Sequence, residues 1–361
     1  MKKPTLLALL LLLATSWINA QQQSLLIQKK SGELLTMPVS EIDTITFVTT
    51  GNVQRNKWYF MLENPGVADY LRDFEYDSQD YSYHCIFDYR GEPYLDIRQD
   101  WPYAVELDDT LIYNLIPNRR YTIQTSCGAT TIQTVGQLRM LKLQGVNNVR
   151  DLGGWPTSDG KSIRYGCVVR GPELNTTLST TDTSARYHRA TPQDIATLRE
   201  DIGIKAELDL RGPMELPLGS DGAARSVLGP EITYMNHPNF STAPINGPDG
   251  AWIAPMRFIL NCLCQNQPVY VHCRWGADRT GLLCMLLEGL LGVSESNLAK
   301  DFELTSFAGD SRFRTDTRFR SSIAYIKSLP GDSLRQQFRH YWLSCGANED
   351  ELDRLTMLMT E

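Results

Sequence analysis

The segment His272-Cys273-Arg274-Trp275-Gly276-Ala277-Asp278-Arg279-Thr280-Gly281 holds the residue types that phosphate chemistry needs, at a spacing that brings them together. A short apolar run, Val269-Tyr270-Val271, leads into it, and residues 282–291 leave it as an almost wholly apolar stretch. A strand, a tight loop and a helix start in that order aim several backbone N–H groups at one point, which binds an anion. The same field favours thiolate over thiol at Cys273. Arg279 can grip two phosphate oxygens with its planar fork. Gly276 lets the backbone curl, and His272 and Thr280 are placed to orient the loop and to hydrogen-bond near the sulfur. Arg274, Trp275, Gly276, Ala277 and Thr280 then line the substrate pocket. A buried structural cysteine would explain Cys273 alone, but not the joint presence of His272, Gly276, Arg279, Thr280 and Gly281.

The chemistry implied is attack by Cys273 on phosphorus, with Arg279 and the loop amides stabilising the equatorial oxygens. A group must protonate the departing oxygen and later activate water. Three aspartates compete for that work. Asp209 ends an expected strand, where α/β active sites gather, although Arg211 two residues on could make it a structural pair instead. Asp278 lies inside the loop, and Asp249 sits in Gly247-Pro248-Asp249-Gly250, a strong turn signal between a strand and a helix. They rank in that order. No metal-ligand cluster and no cofactor motif is visible, so the expected chemistry needs neither.

These residues require a frame. After about Met140, helical patterns alternate with short apolar strands, which predicts an α/β layer. Strands are expected at 206–210, 232–235 and 269–271. Helices are expected at 192–201 (capped by Thr191), 256–263, 282–291, 334–342 and 349–359, the third of these buried nearly all round. Before residue 140 the pattern is β-like. Residues 24–50 read as short strands with a turn at Ser31-Gly32, and 81–89, 103–107 and 120–125 alternate between turn residues. Leu115-Ile116-Pro117-Asn118 leading into Arg120 resembles the turn before a late strand in fibronectin type III-like domains, which makes a small β-sandwich the expectation. The chain thus divides into 1–20, 21–50 (a short β segment), 51–140 (sandwich) and 141–361 (catalytic). The β-rich part is expected to be dispensable for chemistry, because nothing in it resembles a phosphate site.

The loop resembles that of the cysteine-dependent protein tyrosine phosphatase superfamily. Within it, the chain is similar to a bacterial tyrosine-phosphatase family of dual or broad specificity, with a signature close to His-Cys-x-x-Gly-Lys-Asp-Arg-Thr-Gly. Asn148-Val149-Arg150-Asp151-Leu152-Gly153-Gly154 resembles that family's opening motif. Tyr165-Gly166 through Leu174, with Arg170 and Glu173, resembles its second block, and Leu208-Asp209-Leu210-Arg211 followed by Glu215 its third. The resemblance runs from about 141 to the end. It implies a central, mainly parallel sheet flanked by helices, metal-independent hydrolysis of phosphate monoesters, and support for Asp209 as the acid. One departure is informative: the family's lysine is Ala277 here. Losing that cation weakens attraction for phosphoinositides or inositol phosphates, while Arg274 restores some charge and Trp275 offers a wall for a flat substrate. The lean is toward phosphotyrosine-like esters.

The remaining features set limits. A formal net charge of −7 argues against a protein whose task is coating nucleic acid. Lys2, Lys3, the apolar residues 6–14 and Ile18-Asn19-Ala20 form a secretory signal pattern with cleavage near Ala20, so the protein is expected to be secreted or periplasmic and not membrane-spanning. Eight cysteines resemble no stapled framework, and most read as small buried hydrophobes. The expected partner is a phosphorylated protein or small phosphate ester. The composition does not fix an oligomeric state. Two rivals stand beside the phosphatase: an idle phosphate-binding relative, and a sulfur-transfer enzyme, which the Arg279-Thr280-Gly281 ending disfavours.

Overall fold

A computed structural model describes residues 24–28, 34–38, 104–107, 110–117, 119–125, 128–134, 137–178, 188–238, 243–305 and 316–361. The signal pattern, Cys85, Cys127 and the strand expected at 81–89 lie outside the described residues. Strands β1 (Ser24–Gln28) and β2 (Leu34–Pro38) form an antiparallel hairpin, and the turn expected at Ser31-Gly32 lies outside the described residues. Strands β3 (Ala104–Leu107) and β4 (Thr110–Tyr113) form a second hairpin, and β5 (Arg120–Thr125) with β6 (Gly128–Gln133) a third.

The sheet that positions the loop has five strands. In spatial order they are β10 (Thr233–Asn236), β9 (Ala206–Asp209), β11 (Val269–His272), β8 (Val168–Gly171) and β7 (Arg150–Asp151). Four are parallel, and β7 closes the edge antiparallel to β8. This is the expected α/β layer. Strands β8, β9 and β11 are buried along their whole length, as parallel strands covered on both faces must be. Their register sets Gly171, Asp209 and His272 side by side at the carboxyl ends, so the loop after His272 opens at the rim where α/β sites form.

Helix α1 (Pro192–Ala196) starts at a reciprocal cap in which Thr191 accepts from Asp194 N and Asp194 answers the Thr191 N–H. It continues as one π-turn over Thr197–Asp201. Helices α2 (Ile253–Cys264), α3 (Asp278–Leu291), α4 (Glu295–Leu304), α5 (Thr317–Lys327), α6 (Leu334–Cys345) and α7 (Glu349–Met359) complete the layer. Every residue of α3 after Asp278 is buried. Gly289 is where α6 comes closest: a Cβ there would lie 2.3 Å from the Phe338 ring. Trp342 on α6 also ties to α3, donating from Nε1 to Leu286 O at 3.1 Å. Among the described residues no helix is long and apolar enough to cross a membrane. The six described cysteines are all free thiols.

The described residues just before 141 pack onto this unit. Leu138 and Met140 belong to the main core, with Leu115 and Tyr121 packed against it. Asn114 exchanges two hydrogen bonds with the Lys142 backbone, at 3.2 and 2.7 Å. Arg139 donates to Asn114 O and to Asp151 Oδ2, the latter at 3.0 Å with both side chains buried. Asp151 in turn accepts from Gly153 N and Gly166 N. A chain beginning at Leu141 strands that carboxylate without its counter-charge. It is expected to be less stable than one beginning at Ala104 by about 3–5 kcal/mol, the cost of halving a buried ion pair. Urea denaturation of the two chains measures the difference, and equal midpoints would show Arg139 to be energetically idle.

Candidate active site

The loop is built between the end of β11 and the first turn of α3. Gly276 sits at φ 66°, and a Cβ there would come within 2.4 Å of the Gly171 carbonyl, so both the left-handed backbone and the close approach to β8 require glycine. Glu173 N donates to Arg274 O at 3.1 Å, and Arg170 Nη2 donates to Gly276 O at 3.0 Å, pinning the loop from the β8 side. Asn148, itself at φ 55°, donates from Nδ2 to Trp275 O at 3.2 Å. The opening motif therefore reaches the loop directly.

Cys273 is almost fully buried, with 2% of its surface exposed. Burial works against charge on the Arg279 guanidinium, but Glu215 and the nearby Cys273 outweigh it and raise its pKa. Arg279 also donates from Nη1 and Nη2 to the two carboxylate oxygens of Glu215 at 2.6 and 2.9 Å, and from Nη1 to Leu210 O at 3.1 Å. Glu215 ends a single 3-10 turn, Pro213–Glu215, that follows β9. The fork is thus held in one plane at the mouth of the loop. Thr280 Oγ1 is buried with no hydrogen-bond partner. Arg274, Trp275 and Asp278 are half-buried, whereas Ala277 is buried at 1% exposure. Trp275 is propped by His188, edge-on at 4.4 Å between ring centroids.

Behind the nucleophile lies His272. Its Nδ1 is 3.1 Å from Cys273 O and its Nε2 is 3.0 Å from Glu207 Oε1. Burial works against charge on this imidazole, but Asp209 and the Glu207 bond outweigh it and raise the pKa. In the imidazolium both nitrogens donate, one to the Cys273 carbonyl and one to Glu207. The ring thus stands one residue from the sulfur, in surroundings that favour its charged form.

Asp209, ranked first for the acid, is placed otherwise. Its carboxylate is fully buried and accepts from Arg211 N at 2.9 Å, Arg211 Nη2 at 2.7 Å and Tyr234 OH at 2.9 Å. Burial alone would raise its pKa, but His272 and then Arg211 hold it down at about 2. A carboxylate so paired favours its ionised form, which weighs against Asp209 as the acid. The Arg211 pairing weighed against it in the sequence is what the structure contains. Glu207, Asp209 and His272 also stand close enough together to suggest a metal site. Their facing atoms already hydrogen-bond to one another, to Arg211 and to Tyr234, so the trio is an internal ion-pair network.

Asp249 caps the short turn Gly250–Trp252, accepting from Ala251 N at 2.9 Å, while its own N–H points to Cys345 Sγ. That is the turn role. Asp278 remains: it opens α3 inside the loop, and Arg318 of α5 approaches its Oδ1 at 3.5 Å. Sequence reading passed over Arg318, His188 as a prop for Trp275, and Asp301 of α4. Asp301 takes hydrogen bonds from both Arg150 and Arg170. A lone acid between Lys300 and Phe302 gave no signal of this, because its partners lie more than a hundred residues earlier.

Residues 141–344 match the sequence model of the tyrosine phosphatase family. No curated protein matches the chain. Solved structures align with it over about half of its length. The core catalytic domain of the PP-IP phosphatase SIW14 from S. cerevisiae, in complex with citrate, does so at 18% identity over 46% of this chain and 85% of that one, with a TM-score of 0.28. P. aeruginosa TpbA aligns at 16% identity over 51% and 96%, TM-score 0.32. PTPMT1 in complex with PI(5)P aligns at 11% identity over 49% and 94%, TM-score 0.31. With the family's model covering more than half of its 361 residues, loop, opening motif and third block included, this chain belongs to the tyrosine phosphatase family and is a phosphoric monoester hydrolase.

Proposed function

We propose that the protein hydrolyses phosphate monoesters through a phosphocysteine on Cys273, without a metal, and that its substrates are phosphotyrosine-like esters. The observation that carries the reading is that Cys273 and Arg279 share one loop, pinned by Arg170 and Glu173, with the Arg279 fork held at its mouth by Glu215. In the first step the thiolate attacks phosphorus, the ester oxygen leaves with a proton from Asp278, and the Arg279 fork turns from Glu215 to two equatorial oxygens. In the second, Asp278 takes a proton from water, which attacks phosphorus and returns the thiolate with inorganic phosphate.

The half-buried Trp275 with His188 behind it supports a flat leaving group, and buried Ala277 supports low demand for added phosphates. A second reading, a phosphoinositide or inositol-phosphate substrate, draws on Arg274 and Arg318, both partly exposed beside the loop. The test is para-nitrophenyl phosphate hydrolysis with and without EDTA, with rapid acid quench and mass analysis. The expected result is chelator-insensitive turnover and a phosphate adduct on the peptide carrying Cys273. Turnover lost in EDTA, or steady turnover with no adduct, would overturn the mechanism. A higher kcat/KM for inositol phosphates than for phosphotyrosine would favour the second reading.

A further inference from the structure

Beneath the loop lies a buried charge cluster that the chemistry above does not use. Arg150 on β7 and Arg170 on β8 converge on Asp301, late in α4, and all three are buried. Arg150 donates from Nε to Asp301 Oδ1 at 2.9 Å and from Nη2 to the Asp301 carbonyl at 2.7 Å, while Arg170 Nη1 donates to Asp301 Oδ2. The other arms of the two guanidiniums reach the loop. Arg170 Nη2 holds Gly276 O directly, and Arg150 Nη1 holds Asn148 Oδ1 at 2.7 Å, whose amide holds Trp275 O. In a trans peptide the N–H points opposite to the carbonyl. Fixing the carbonyls of Trp275 and Gly276 therefore turns the N–H groups of Gly276 and Ala277 to the other side of the loop.

The charges in the cluster do not balance. Glu288 on α3 is buried with neither carboxylate oxygen hydrogen-bonded, and burial together with nearby Asp301 pushes its pKa well up, favouring the neutral form. Asp301 is ionised, because Arg150 and Arg170 overcome its burial. Two arginines against one aspartate leave one net positive charge under the loop. If through-space charge were all that mattered, removing the Asp301 charge would strengthen anion binding.

We propose that Asp301 is a positioning residue for phosphoryl transfer: through Arg150, Asn148 and Arg170 it fixes two consecutive loop carbonyls and so aims the Gly276 and Ala277 N–H groups at the phosphate oxygens. This rests on the loop being the phosphate site. The experiment compares the full chain with Asp301→Asn and Asn148→Gly, measuring kcat and KM on para-nitrophenyl phosphate, the Kd for inorganic phosphate by calorimetry, and the melting temperature. Asp301→Asn is expected to weaken phosphate binding and lower kcat by about ten- to a hundredfold, the worth of one charge-assisted hydrogen bond, although it makes the cluster more positive. Asn148→Gly, at a backbone angle glycine accepts, cuts only the relay to Trp275 and is expected to cost about three- to tenfold. A lower melting temperature with kcat and phosphate Kd unchanged would overturn the proposal in favour of a structural role. Tighter phosphate binding in Asp301→Asn would overturn it in favour of through-space charge. Should Asp301→Asn fail to fold, Asn148→Gly decides on the same readings. A parent chain that binds no phosphate at all would instead refute the reading of the loop itself.

Discussion

Replacing Cys273 by serine is expected to lower kcat on aryl phosphates by about 10⁴- to 10⁶-fold, the usual consequence of removing a nucleophile that acts as part of a unit. Phosphate affinity and melting temperature should stay close to those of the parent. The two halves follow from the same geometry. A serine oxygen fits the nearly closed site that Cys273 occupies, and the groups that would bind the anion remain: the loop amides, Arg279 with its Glu215 brace, and the pinning by Arg170 and Glu173. What changes is the attacking atom. Sulfur is the better nucleophile, whereas a serine hydroxyl keeps its proton unless a base takes it. The imidazole beside the sulfur, His272, already spends both ring nitrogens, on the Cys273 carbonyl and on Glu207. The measurement is initial rate on para-nitrophenyl phosphate with phosphate Kd alongside. A serine variant within tenfold of the parent would refute the phosphocysteine. A parent that binds phosphate but turns over neither aryl nor alkyl esters would point to the idle relative, and persulfide on Cys273 after thiosulfate would point to sulfur transfer.

How far the sequence revealed this arrangement depended on the kind of signal involved. The loop was legible because its chemistry is local: strand, cysteine, glycine, arginine and helix fall within thirteen residues, Val269 to Gly281. The last helix was legible to the residue, since Asn348 and Glu351 mark its start and its apolar positions repeat with helical period. Helix α4 was not foreseen. Its buried face carries Lys300, Asp301 and Glu303, and a pattern built on apolar spacing reads such residues as solvent-facing. Asp301 is buried because Arg150 and Arg170 wait for it, and that information is spread over three distant segments. The surroundings of Asp209 were hidden for a related reason. Its place at a strand end was read correctly, but which way a carboxylate is satisfied depends on Arg211, Tyr234 and His272 together, and only the folded sheet brings the last two beside it.

The same contrast separates the two aspartates by experiment. Asp278→Asn is expected to lower kcat by about 10²- to 10⁴-fold on alkyl phosphates, whose leaving oxygen needs a proton. The loss should be much smaller on para-nitrophenyl phosphate, whose leaving group departs readily as the anion. Its urea midpoint should barely move, because Asp278 is half-buried at the loop mouth. Asp209→Asn is expected to do the reverse. It leaves Arg211, Tyr234 and His272 facing a neutral amide in a buried site, so stability should fall by about 3–5 kcal/mol. The pH dependence carries the sign. The folded-state pKa of Asp209, about 2, lies below its ordinary value of 3.8, so its stabilisation is complete above pH 4 and is lost as pH falls toward 2. The parent should therefore lose roughly 2 kcal/mol across that window, and Asp209→Asn should lose correspondingly less. Kinetics on the folded fraction complete the test. If Asp209→Asn, and not Asp278→Asn, slowed alkyl phosphates selectively, the proton would have to come from the buried pair after all, and the hydrogen bonds that hold Asp209 would have to open during turnover.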